Sequence, residues 1–235
     1  MSSPPELIRF DACFPLDKKV GFKHIIVASF SHMTRLGDTF IRQLKEKSED
    51  FTNLYAFSEF LESVDPKTKV PETNTIPIGL RKMQELGINT PIIELDLVWA
   101  GIDYSKFKVA AINQLLFERM AWCRKNLSND SKIFINIRDL PNGMAKKPKR
   151  IFKVIRYLSS LPPDERPFGL LFEESGKYLP EEVGAWTTAV RRQMDSCGFQ
   201  DGHLLVHVHE QWAWQTAPSC NILQTAQTAS GRALL

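Results

Sequence analysis

An α/β fold of parallel strands, curling towards a TIM-type (β/α) barrel, is the class this chain predicts, and three observations carry it. Short apolar runs alternate with helical patterns, the order that βα units and a parallel sheet require. The units recur roughly every 30–40 residues, a spacing that suits barrel units. Polar residues gather where the strands end: Ser29 with Ser31 or His32, Glu94 and Asp96, Asn136 and Arg138, Glu173 and Glu174, then His207 and His209. Barrel enzymes place their chemistry at that end of their strands.

Taken in order, His24–Phe30 reads as the first clear strand and Thr39–Lys47 as a helix. Leu54–Phe57 is a second strand, and Ile78–Leu86 is a helix stopped by Gly87, a C-terminal signal. Pro91–Val98 reads as a strand whose period of two sets Glu94 and Asp96 on one face. Lys108–Asn126 is a long amphipathic helix and Ile133–Ile137 the next strand. Lys149–Ser160 is helical, Gly169–Phe172 a strand, and Pro180–Cys197 a helix ended by Gly198. Leu204–Val208 is the last clear strand. Phe117, Trp122 and Trp186 fall at helical spacings typical of core-facing positions. Trp212 and Trp214 alternate beyond the last strand, where they pack or wall a ligand pocket. No repeat, low-complexity tract or linker interrupts residues 1–235, so one domain is the simplest organisation.

Local pattern alone leaves an open doubly wound sheet as an alternative. Its nucleotide-binding form has no support, because neither G-x-G-x-x-G nor G-x-x-x-x-G-K-[ST] occurs. A serine-hydrolase elbow is missing as well. The 235 residues are 43% hydrophobic and 24% charged, as in ordinary globular proteins. A net charge of +3 is too small to make a nucleic-acid-binding face. Cys13, Cys123, Cys197 and Cys220 are scattered, which suits reduced thiols. The start Met1-Ser-Ser-Pro-Pro-Glu lacks a basic and apolar leader. No apolar run reaches the roughly 18 residues of a membrane span. A cytoplasmic protein without membrane or nucleic-acid partners is the expectation; a mitochondrial location and a homo-oligomer stay open.

The stretch His203-Leu-Leu-Val-His207-Val-His209-Glu-Gln-Trp212 carries the most specific chemistry. His207 and His209 share a strand face about 7 Å apart, so both imidazoles can converge on one ion. The plainer alternative is two partly buried histidines satisfied by hydrogen bonds. Polar residues at five strand ends favour the metal site over what a bare H-x-H supports.

Residues 169–217 resemble the sixth and seventh βα units of the metal-dependent carbon–carbon lyase and synthase barrels. That family includes 3-hydroxy-3-methylglutaryl-CoA lyase, isopropylmalate synthase and the pyruvate carboxyltransferase domain. Glu173-Glu174-Ser175-Gly176-Lys177-Tyr178-Leu179-Pro180 resembles its acidic residue, T-x-G, three residues and proline. His207-Val208-His209-Glu210-Gln211-Trp212 is similar to its H-x-H followed by an acidic residue and an aromatic. Gly21–Ser31 with Gly37-Asp38 resembles its second strand and loop, while residues 50–165 match only in element order. The family's R-D-G-x-Q or R-E-G-x-Q run is not present in Leu7–Pro15, where Asp11 stands nearest to the acidic metal ligand and Arg9 to the cation. Ala213 takes the place of a glycine, and residues 218–235 form a divergent tail with no room for an eighth strand and helix. The resemblance thus implies an incomplete barrel of about seven βα units.

On that resemblance, His207, His209 and Asp11 would hold a divalent ion (Mg, Mn or Zn). The implied function is a lyase or acyl-transferring synthase for a small oxo or hydroxy acid or its CoA thioester. Arg9 or Arg138 would offset charge developing on the reacting oxygen, and Glu173 would be a general base or outer partner of a histidine. Arg138 has a second reading of equal weight, an interior ion pair with Glu94, Asp96 or Glu173. A catalytically inactive or truncated barrel with a binding role is the alternative function. The run Lys146-Lys147-Pro148-Lys149-Arg150 reads as a solvated charge run at a helix start, with acyl-CoA phosphates as the other partner considered.

Overall fold

The computed structural model describes residues 25–30, 35–47, 50–174 and 178–208. Among them six strands and six helices follow in chain order. These are β1 (Ile25–Ser29), α1 (Arg35–Glu46), β2 (Leu54–Glu59), α2 (Ile78–Leu86), β3 (Thr90–Leu95) and α3 (Val109–Asn126). Then come β4 (Phe134–Ile137), α4 (Leu140–Lys146), α5 (Pro148–Ser160), β5 (Gly169–Glu174), α6 (Pro180–Ser196) and β6 (His203–Val208). Every strand pairs in parallel with the next one in sequence.

That order distinguishes the two sheets that local pattern left open. A doubly wound sheet reverses its strand order to bring helices to both faces. Sequential parallel strands joined by right-handed crossovers keep all their helices on one face, so the sheet can curl. The curl is visible in side chains: Phe57 on β2 and His207 on β6 stack with ring centroids 5.9 Å apart. Tyr55 on β2 likewise meets Phe134 on β4 at 5.9 Å. The described residues form a parallel half-barrel, an incomplete barrel of six strands. The segment Leu7–Pro15, with Arg9 and Asp11, lies outside the described residues, as do His209, Trp212, Trp214 and the tail 218–235.

Alternation along the strands divides the interior in two. Ala56, Ile93, Leu95, Ile135, Ile137, Leu170 and Phe172 face the helices, packed with Leu80 and Met83 of α2, Ile112 and Leu116 of α3, Ile155 of α5 and Val183 of α6. Their neighbours Tyr55, Phe57, Ile92, Phe134 and Leu171, with Leu205, form a smaller cluster on the inner face. Phe117, Trp122 and Trp186 pack against the larger core, as their helical spacing predicts. Strand β3 is buried along all six residues, which explains its nearly continuous apolar run.

Local chemistry sets the helix limits. At the end of α2, Gly87 adopts φ 81 and its N–H bonds the Met83 carbonyl, a left-handed cap that glycine makes without steric cost. Helix α6 begins with Pro180, and the Glu182 carboxylate accepts a 3.0 Å bond from the Leu179 N–H ahead of it, half of a capping box. In α1, Asp38 in the first turn and Lys45 in the last complement the helix dipole, and Lys82 of α2 bridges to Asp38 at 2.7 Å.

The pattern did not predict α4. Its Leu140-Pro141-Asn142-Gly143 start has the composition of a turn. Asp139 ahead of it sits at φ 46, and Asn142 Nδ2 donates to its Oδ2 at 2.9 Å, fixing the corner. Among the described residues no helix is long and apolar enough to cross a membrane.

Candidate functional site

The inner face changes character along the strands. Near their N-terminal ends it is an aromatic floor: Phe134 meets Phe168 edge-on at 5.5 Å, and Phe168 stacks on His203 at 4.4 Å. Gly169 makes room for this packing, since a Cβ there would lie 2.5 Å from the His203 carbonyl oxygen and 2.7 Å from the Phe134 ring. Two residues further along, pairing aligns Glu59, Glu94, Asn136, Leu171 and Leu205 across β2 to β6. Beyond that row Glu173 pairs with His207. The Arg138 N–H bonds the Leu95 carbonyl at 3.0 Å, extending the β3–β4 ladder past the last paired residues. Polar side chains therefore crowd one end of one face.

Arg138 stands among carboxylates. Its Nε is 3.8 Å from Glu94 Oε1 and its Nη1 3.6 Å from Asp96 Oδ2. Glu94 is buried, while Arg138 and Asp96 keep about a third of their side chains exposed. Burial pushes the Asp96 carboxyl above its ordinary value; Arg138 opposes that rise, and Glu94, Glu173 and Asp139 add to it. On β4 the fully buried Asn136 donates from Nδ2 to Glu173 Oε2 at 2.5 Å. The Asn136 Oδ1 is buried with no hydrogen-bond partner among the described residues, and buried amide oxygens are rarely left so without a ligand, ion or water.

A cavity of about 390 Å³ opens at this rim, lined in part by Glu59, Glu62, Glu94, Asp96, Trp99 and Arg138. The loop after β2 supplies another wall. It is pinned from α3 by the buried Arg119, whose Nη2 donates to the carbonyls of Thr73 at 2.9 Å and Thr75 at 2.7 Å. Tyr104 fastens the loop after β3, its hydroxyl donating to the Asp96 carbonyl at 3.0 Å. Burial raises that phenol, with Asp96 adding to the effect. Two loops thus frame the carboxylates.

Of the residues expected from sequence, the structure brings Arg138, Glu173 and His207 to the same end of the sheet, with Glu94, Asp96 and Asn136. Arg138 forms the interior ion pair that was one of its two readings. His209, Asp11 and Arg9 lie outside the described residues. Among the described residues, no group of three or more His, Cys, Asp or Glu side chains is disposed to hold a metal ion. Three members of the site escaped sequence reasoning. Glu59 continues the Tyr55, Phe57 alternation of β2 by one step, a signal that was present; Phe57 against His207 and Trp99 at the cavity mouth depend on the curl and on loop geometry. No protein-family model matches the chain, and no curated protein matches it.

Proposed function

We propose that this chain is a divalent-metal-dependent carbon–carbon lyase or acyl-transferring synthase, acting on a small oxo or hydroxy acid or its CoA thioester. The supporting observation is the passage of the inner face from an aromatic floor to a band of Glu59, Glu94, Asn136, Glu173 and His207 at the strand ends. Among the described residues that line the cavity, carboxylates outnumber the one guanidinium, so an anionic substrate needs a further cation beside it. A Mg, Mn or Zn ion would meet that need and supply Lewis-acid polarisation of a substrate oxygen. Its holders would be His207 with His209 and Asp11, and the unsatisfied oxygen of Asn136 fits a rim that takes a polar ligand.

The chain's own groups then have distinct work. Arg138, steadied by Glu94 and Asp96, offsets negative charge on a substrate carboxylate or reacting oxygen. Glu173, held by the Asn136 amide, is positioned to accept a proton. Phe57 backs the His207 ring and limits its rotation. A second reading, an inactive barrel with a binding role, is favoured by one observation: Arg138 is already engaged by two carboxylates.

The test is turnover. The protein is incubated with hydroxy acids, oxo acids and their CoA thioesters, with and without Mn²⁺, and products are followed by mass spectrometry. Metal-dependent cleavage or condensation, abolished by Arg138→Met and by His207→Ala, is the expected result. Substrate binding without turnover at saturating Mn²⁺ would select the second reading.

A further inference from the structure

Beside the carboxylate-lined cavity lies another of about 300 Å³, and the two share Trp99 and Ile102. Its charge is opposite. Lys146, Lys147 and Arg150 line it, against a single carboxylate among the described residues, Asp103. That carboxylate is already occupied: it accepts from the Ser105 N–H at 3.0 Å and hydroxyl at 2.6 Å, with Lys106 3.6 Å away. Lys147 precedes α5 without a side-chain cap, and the first turn of α5 contains no acidic residue. Lys147 and Arg150 meet the positive end of the α5 dipole, an arrangement that an anion would relieve, whereas Lys146 lies in the last turn of α4, where a cation is favoured.

The cavity is also built to hold shape. Arg150 Nη1 donates to the Leu97 carbonyl at 2.6 Å, and its guanidinium lies 4.0 Å over the Tyr104 ring. One cation is therefore fixed while Lys146 and Lys147 remain exposed beside it. Trp99, at the boundary between the two cavities, is 51% exposed, one of four large apolar side chains left open among the described residues.

We propose that this cavity binds a nucleoside diphosphate moiety, its diphosphate against Lys146, Lys147 and Arg150 and its base on the Trp99 indole. Lysine and arginine make charge-assisted bonds to phosphate oxygens, and an exposed indole is a stacking platform for a base. Read from sequence, the charge run favoured solvation over the phosphates of an acyl-CoA, and nothing there gave a reason to prefer the second. The cavity, the anchored Arg150 and the open tryptophan supply it. The proposal stands apart from the lyase or synthase reading and survives its failure.

The experiment is calorimetric titration of inorganic pyrophosphate, ADP and coenzyme A into the full chain, at low ionic strength and with EDTA so that a metal site cannot contribute. ADP should bind, with pyrophosphate about tenfold weaker for want of a base. Lys146→Glu with Lys147→Glu should weaken both by at least about tenfold, and Trp99→Ala should abolish the advantage of ADP. Added salt should weaken binding to the unsubstituted protein, a check that does not depend on a variant folding. Coenzyme A binding more tightly than ADP would identify a ligand that reaches towards the carboxylate-lined cavity; equal binding would identify a free nucleotide. Absence of binding by all three probes, or unchanged affinity after the double charge reversal, would overturn the proposal.

Discussion

Replacing Arg138 with methionine keeps most of the aliphatic stem and removes the guanidinium that faces Glu94 and Asp96. The distances, 3.8 and 3.6 Å, are those of ion pairs without close hydrogen-bond geometry. Exposed pairs of this kind contribute about 0.5 kcal/mol each, and stripping the partner from a buried charge costs about 3–5 kcal/mol. Glu94 is 9% exposed while Arg138 retains 35% of its side-chain exposure, so the site falls between those limits. Loss of about 2 kcal/mol at neutral pH follows, roughly 4–8 °C in melting temperature for a chain of this size.

The pH dependence has a definite sign. The Asp96 carboxyl titrates above its ordinary 3.8 in the folded protein, chiefly because it is partly withdrawn from water. Ionised Asp96 therefore costs stability once pH has risen through that raised value; below about 3.8 both folded and unfolded chains carry it protonated and the cost is gone. Arg138 holds the rise in check. Without it the carboxyl titrates higher still, and the cost at neutral pH grows. Urea unfolding of the variant and the unsubstituted protein at about pH 7.5 and about pH 4.5 reads this directly. The deficit should be largest at the higher pH and shrink at the lower. A deficit that is equal at both, or greater in acid, would refute the electrostatic account of the cluster.

Substitutions at three further positions test the buried site and the fold that carries it. Asn136→Asp places a second carboxylate beside Glu173 at a fully buried position; it should destabilise by about 3 kcal/mol at neutral pH and less in acid, by the same urea assay. Gly169→Ala forces a Cβ against the His203 backbone and the Phe134 ring, and thermal melting should show a loss of about 1–3 kcal/mol. Gly87→Ala must place a side chain at φ 81, where a Cβ would meet only the Lys45 Nζ at an ordinary contact distance of 3.7 Å. Its expected loss of about 1 kcal/mol is therefore backbone strain, not collision, and Gly87→Asn should recover part of it.

Particular residues show how far sequence reaches into such a fold. Helix α2 was legible from end to end because its apolar period runs until Gly87 and no further. Strand β3 was legible because both of its faces are buried, although its ladder ends at Leu95 and leaves Asp96 just beyond. Helix α4 was not, since Pro141, Asn142 and Gly143 favour a turn and tertiary packing of Leu140 and Met144 decides otherwise. A curled against a doubly wound sheet was also beyond local pattern. The approach of Phe57 to His207 joins residues of β2 and β6, and no window of sequence contains both.

The site divides along the same line. Period-two alternation was enough to set Glu94 with Asp96, and Asn136 with Arg138, on one face of their own strands and to bring Glu173 to the same strand ends. The Asn136–Glu173 bond and the grip of Glu94 and Asp96 on Arg138 depend on how neighbouring strands are staggered. Trp99 had no signal at all, because its exposure is set by a loop tied down through Tyr104 and Arg150.

The most direct test is a calorimetric titration of Mn²⁺ into the full chain and into a variant carrying His207→Ala and His209→Ala. The account predicts saturable binding of one ion, lost in the variant while the fold survives. Equal and weak binding by both proteins would contradict the metal-dependent reading and leave the acidic rim with another role.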